Sequence, residues 1–166
     1  LDVTGKVLWK TRLEYETQHG AGGSPLLFED LLIVNCDGTN VQYVAALETA
    51  TGKIRWKKPR RDGYQAYATP LVIEAAGRKE LVSPGAHQTV AYDPRTGEEF
   101  WYVKYGRQFS NVPRPVFGHG LVYIATGFFE PHVLAVRPGG KGDVTGSHVQ
   151  WDLSRGAPYT PSPILV

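Results

Sequence analysis

An all-β fold built from one repeated, four-stranded antiparallel unit is what the sequence predicts, and two residue types sharing a period predict it. Trp9, Trp56, Trp101 and Trp151 follow one another at 47, 45 and 50 residues. Pro25, Pro70, Pro115 and Pro163 keep step at 45, 45 and 48, each just ahead of an apolar run. Self-similarity at about 40–50 residues marks sheets stacked as the blades of a β-propeller. A third observation agrees: helical periodicity is absent, and the 19 Gly and 12 Pro punctuate short apolar runs at regular spacing.

The repeat is sharpest where Ala46 to Trp56 reads ALETATGKIRW and Ala91 to Trp101 reads AYDPRTGEEFW. Both fit A-x-[DE]-x-x-T-G-x-x-x-W. The acid and the threonine can bond free backbone N–H groups in a tight turn, and Gly52 and Gly97 supply the positive φ that closes a hairpin with a bulge. The tryptophan then lies on the outer strand, where its ring covers the turn of the neighbouring repeat. Gly5 to Trp9 keeps the spacing without a preceding strand. Gly146 reaches Trp151 one residue later, after an inserted Pro138 to Gly142.

Turn punctuation then divides the chain. The first blade (24–58) reads as strands near 24–28, 31–36, 41–47 and 53–58. The second (69–104) reads near 69–74, 79–83, 87–92 and 98–104, and the third (115–152) near 115–117, 120–126, 131–137 and 147–152. Residues 6–10 supply an outer strand alone and residues 160–166 an inner strand alone. The expected fold is therefore a partial β-propeller of three complete blades plus parts of two, occupying residues 1–166, about half or less of a ring of seven or eight blades. Such an arc leaves exposed edge strands and an uncovered inner face, so the chain is expected to be a fragment or to be completed by another chain or copy.

The A-x-[DE]-x-x-T-G-x-x-x-W pattern resembles the tryptophan-docking motif of the pyrroloquinoline-quinone-like (PQQ-like) repeat family. That family includes quinoprotein alcohol dehydrogenases and the outer-membrane-assembly lipoprotein of the bacterial cell envelope. The resemblance implies structural roles for Trp9, Trp56, Trp101 and Trp151 and for Gly5, Gly52, Gly97 and Gly146. It implies a periplasmic or envelope location. It also implies that the loops joining the second and third strands, and those joining one blade to the next, share one face. Arg60, Arg61, Tyr64, Tyr67, Arg107, Phe109, Asn111, Arg114 and Tyr159 fall in those loops. Guanidinium and aromatic groups anchor binding surfaces, so this face is the expected site for a protein, peptide or glycan.

Composition and motifs give no sign of other classes. A formal charge of +2, scattered along 166 residues, carries no footprint of a nucleic-acid partner. The apolar runs are far shorter than the roughly 20 residues of a membrane span. His19, His87, His119, His132 and His148 show no metal-binding spacing, and no serine sits in a nucleophile elbow. Cys36 is the only cysteine, so no intrachain disulfide is expected and the thiol reads as structural. The expectation is a non-catalytic module without cofactor. The alternative is a fragment of a quinoprotein alcohol dehydrogenase, for which PQQ and calcium would be required.

Overall fold

A computed structural model describes all 166 residues. Three antiparallel four-stranded sheets follow one another along the chain. The first holds β1 (Leu26–Phe28), β2 (Leu31–Asp37), β3 (Gln42–Glu48) and β4 (Ile54–Pro59). The second holds β5 (Leu71–Ala75), β6 (Arg78–Pro84), β7 (Gln88–Tyr92) and β8 (Glu99–Lys104). The third begins with β9 (Val116–Gly118), β10 (Leu121–Ala125) and β11 (Val133–Val136). The chain then makes β12 (Gly142–Asp143) and α1 (Thr145–His148) before closing the blade with β13 (Val149–Leu153). β12 leaves its own blade and pairs in parallel with β8, setting Gly142 opposite Trp101. No helix is long and apolar enough to cross a membrane.

Turn chemistry accounts for the meander. Ala76 and Gly77 join β5 to β6 at φ 50° and 75°, and His119 and Gly120 join β9 to β10 at 52° and 74°. Two positive φ angles in a two-residue loop match the right-handed twist of the flanking strands. In the longer turn before β8, the acid binds the backbone ahead of it, whereas Glu48 in the turn before β4 accepts from Thr51 Oγ1 at 2.9 Å and Arg55 Nε at 3.1 Å. Asp93 Oδ1 accepts from Arg95 N at 2.7 Å and Thr96 N at 3.2 Å, and Gly97 stands at φ 70°.

A bulge then aims each tryptophan. The register shifts one step beyond the pairs Ala46–Trp56, Ala91–Trp101 and Ala135–Trp151, so every blade sets its indole against an alanine with no exposed surface. The small residue makes room for the large one across the ladder. The core lies between blades. Leu31, Ile33, Val44 and Trp56 of the first pack against Leu81, Val90 and Tyr92 of the second. Trp101 and Val103 of the second pack with Val122, Ile124 and Leu134 of the third.

The two flanking segments depart from expectation. Residues 6–10 and 160–166 are coil, not strands. An extended segment becomes a strand only by pairing, and the chain carries no second strand for either. They nevertheless hold blade-like places. Ser162 Oγ accepts from Arg114 N at 3.0 Å, as Thr69 Oγ1 accepts from Ser24 N at 2.9 Å, two blades earlier. Gly146 also differs, because it lies within α1 and carries no positive φ. The inserted Pro138 to Gly142 moves the turn onto Gly139 and Gly142, at φ 87° and 66°.

Cys36 is the penultimate residue of β2 and has no exposed surface, and burial pushes its thiol up to about 11. Alkylation by iodoacetamide at about pH 8 is expected to be negligible in the native protein and to appear only as urea unfolds the chain. A native rate within about tenfold of the unfolded rate would show that the first blade opens locally.

Candidate functional site

The loop face is assembled by the segment that leaves β8 for the third blade. Four of its backbone groups, one in each residue from Gln108 to Asn111, bond to other segments. Gln108 O accepts from His87 N at 2.7 Å, Ser110 N donates to Gln65 O at 2.8 Å and Asn111 O accepts from Tyr67 N at 2.8 Å. Phe109 O accepts from Phe128 N at 2.7 Å. These four bonds tie the first-to-second linker, the second blade's inner loop and the third blade's inner loop to one strip of chain. Beneath it, the Asn111 amide is saturated: Nδ2 donates to Gly85 O and Tyr105 Oη, each at 2.7 Å, and Oδ1 accepts from Gly127 N at 2.6 Å. Asn111 is fully buried, so it fastens the face from within and is not one of its binding groups.

Stitching at that strip gathers aromatic rings above it. Phe109 lies 5.2 Å from Tyr64, 5.4 Å from Phe128 and 5.7 Å from Phe129, centroid to centroid. Phe128 continues the group to Phe129 at 5.0 Å and Tyr159 at 6.1 Å. Tyr64, Phe128, Phe129 and Tyr159 are 40%, 46%, 70% and 43% exposed. Four neighbouring aromatic rings held in water form a surface, not a core. Phe129 is held at φ 84° and Ser110 at φ 53°. Left-handed backbone in such residues costs about 1–3 kcal/mol each, and the surrounding structure must over-determine it.

Two concavities adjoin the aromatic ridge. The larger, of about 560 Å³, is lined by Gln18, Gln65, Tyr67, Phe109, Phe128 and Tyr159 among others, with no Asp, Glu, Lys or Arg. Gln65 Nε2 donates to Gln18 Oε1 at 3.0 Å, and Tyr67 Oη donates to Gln65 Oε1 at 3.2 Å. Burial, then the neighbouring Tyr64, raises the Tyr67 hydroxyl above its ordinary range and keeps it a neutral donor. The smaller concavity, of about 390 Å³, lies on the Phe129 side and takes in Arg107, Gln108 and Glu130. Gln108 is 8% exposed, and its Oε1 has no hydrogen-bond partner.

The predicted site residues are thus divided. Tyr64, Tyr67 and Tyr159 come together on the ridge and its cleft. Arg107 flanks the second concavity. Arg114 is exposed in a separate groove with Ser162 and Pro163. Arg61 points the other way, pairing with Glu99 at 2.8 Å over the Tyr102 ring. Phe128, Phe129, Gln18 and Gln108 were missed. The adjacent phenylalanines in the loop from Gly127 to Pro131 were the available signal, since paired large apolar residues in a turn have no core to enter.

The tryptophans divide as well. Trp9 Nε1 donates to Thr49 O at 2.7 Å and Trp56 Nε1 donates to Pro94 O at 3.1 Å, equivalent carbonyls one repeat apart. A side chain at Gly97 would place its Cβ 2.7 Å from the Trp56 ring, and one at Gly52 would meet Trp9. Trp101, facing the inserted turn, donates instead to Glu80 Oε2 at 2.8 Å, which also accepts from Gly139 N at 3.3 Å. Trp151 has no turn to cover and is 44% exposed beside Tyr123.

Antiparallel four-stranded blades joined through a repeated acid–threonine–glycine turn and an indole make the chain a partial β-propeller, and its first 77 residues are similar to the PQQ-like repeat family. Residues 1–77 match the family described as outer membrane protein assembly factor BamB. BamB from Moraxella catarrhalis is 15% identical over 79% of this chain and 36% of its own, with a TM-score of 0.49. Quinohemoprotein alcohol dehydrogenase from Comamonas testosteroni is 18% identical over 80% of this chain and 21% of its own, with a TM-score of 0.56. A europium-containing methanol dehydrogenase is 15% identical over 83% and 26%, with a TM-score of 0.54. The chain spans between 21% and 36% of the length of these structures, and the two dehydrogenases share its fold. No curated protein sequence matches it.

Proposed function

We propose that the chain is a non-catalytic binding scaffold whose loop face holds a partner against the aromatic ridge. The observation that carries this reading is the placement of Tyr64, Phe128, Phe129 and Tyr159, four rings at or above 40% exposure brought from three loops around the stitched strip and its Phe109. Rigid aromatic side chains lose little conformational entropy on binding and bury large area, which makes them the usual energetic centres of interfaces. The match of residues 1–77 to an outer membrane protein assembly factor supports an envelope location and a macromolecular partner.

The competing reading, a quinoprotein dehydrogenase fragment, finds little support in the donor set. Calcium takes six or more oxygen ligands, and nowhere do three His, Cys, Asp or Glu side chains come together. The sole thiol, Cys36, is interior. Arrays of random peptides and of glycans discriminate the readings. The protein is expected to retain a subset of array members and the Phe128→Ser/Tyr159→Ser variant to lose them. No retention on either array would end the scaffold reading. A rise in Tm with added PQQ and calcium would favour the dehydrogenase.

A further inference from the structure

The scaffold reading leaves open what the aromatic ridge holds, and the inference here rests on that reading. We propose that the cleft and the adjoining concavity form one site for a neutral oligosaccharide, with the Phe128 and Phe129 rings stacking on sugar faces and Gln18, Gln65, Tyr67 and Gln108 meeting hydroxyls.

Three observations converge on that ligand. First, the larger cleft is lined by rings, amides and a phenol, with the His19 imidazole its one basic group and no Asp, Glu, Lys or Arg, so its lining offers an ionic ligand no permanent counter-charge. Apolar ring faces alternating with amide and hydroxyl groups match a pyranose, which presents C–H faces and a hydroxyl rim. Second, the strip under the ridge cannot accept a peptide as an added strand. Gln108 O, Phe109 O, Ser110 N and Asn111 O are already bonded within the chain, so the main-chain ladder that strand addition requires is closed. Recognition falls to side chains. Third, the Gln108 amide is 8% exposed and its Oε1 is unpartnered beside the second concavity. A buried acceptor left unmade is costly, and a ligand O–H is the donor that would satisfy it.

The two concavities lie on either side of the Phe128–Phe129 pair, whose rings are 5.0 Å apart. The rings are inclined at 60°, and each serves its own concavity, Phe128 the larger and Phe129 the smaller. The Phe129 backbone, held left-handed, is the conformation that keeps the second ring in water.

The test titrates the whole chain with maltohexaose, with tetra-N-acetylchitotetraose, with oligogalacturonate and with an aromatic-rich peptide, followed by calorimetry and saturation-transfer NMR. Saturable binding of a neutral oligosaccharide is expected, with transfer from the phenylalanine rings. Phe129→Gly removes the ring and relieves the left-handed strain, so it should weaken binding about tenfold or more while leaving Tm unchanged or raised. Gln108→Leu should weaken binding without loss of fold. Binding of the peptide but neither neutral oligosaccharide would overturn the sugar assignment and keep the scaffold. Equal or tighter binding of oligogalacturonate would also overturn it. Binding of nothing would remove both.

Discussion

Trp101→Ala is expected to lower the unfolding free energy by about 3–5 kcal/mol, in the range of deeply buried aromatic truncations. Trp101 has no exposed surface, and its ring fills the space between the second and third blades beside Val103, Ile124, Leu134 and Val144. Neighbouring strands cannot close such a void, because each is held in register from both sides. A second loss adds to the first: the Glu80 carboxylate, also fully buried, gives up its indole donor and keeps only Arg78 and Gly139. Trp101→Phe separates the two, since it retains most of the ring and removes the N–H, at a cost of about 1–3 kcal/mol. Trp151→Ala, with the indole 44% exposed, should cost about 1 kcal/mol or less. Urea unfolding followed by circular dichroism measures all three. Equal losses for Trp101 and Trp151 would mean that the inter-blade core does not depend on the buried indole.

The difference between those two tryptophans shows what sequence could and could not convey. The turn acid, threonine and glycine act within a few residues of one another, so their pattern alone locates each fourth strand. The indole's partner is distant. Trp9 and Trp56 reach the expected carbonyl because the following turn keeps its length, whereas the insertion of Pro138 to Gly142 hands Trp101 to Glu80, 21 residues earlier. No local signal marks that exchange.

The loop face was legible as a region and misread in its details. Tyr64, Tyr67 and Tyr159 were found because aromatic residues in loops stand out. Asn111 and Arg60 looked equally available, yet both are buried. A polar side chain in a loop is interior when several segments supply its partners, and those segments meet only in three dimensions. Asn111 draws on Gly85, Tyr105 and Gly127, while Arg60 draws on Asp37, Ser83 and Pro84. The 160–166 segment failed for the opposite reason: its Ser-Pro start is local and places it correctly, but a strand needs a neighbour.

Arg60 therefore carries the second large effect. Its guanidinium donates to Asp37 Oδ1 at 2.6 Å and Oδ2 at 2.9 Å, and to Ser83 Oγ at 2.9 Å, with both charged side chains wholly inaccessible. It bolts the end of the first blade to the second directly under the loop face. Arg60→Met should destabilise the protein by about 3–5 kcal/mol, because the Asp37 carboxylate is left buried without its counter-charge. The double variant Arg60→Met/Asp37→Leu should recover much of that loss, since the unpaired charge is then gone. The pH dependence has a definite sign. Burial already raises the Asp37 carboxyl against the opposing pull of Arg60, and removing Arg60 leaves burial unopposed. A carboxyl whose folded pKa exceeds its unfolded value favours the fold below the unfolded pKa and loses that contribution as pH rises through the folded one. The Arg60→Met penalty should therefore shrink as the pH falls from about 7 toward about 4, where Asp37 takes up its proton within the fold. A penalty that stays constant over that range, or a double variant no more stable than the single, would show that Arg60 acts through its packing and its bonds to Ser83 and Pro84 and not through its charge.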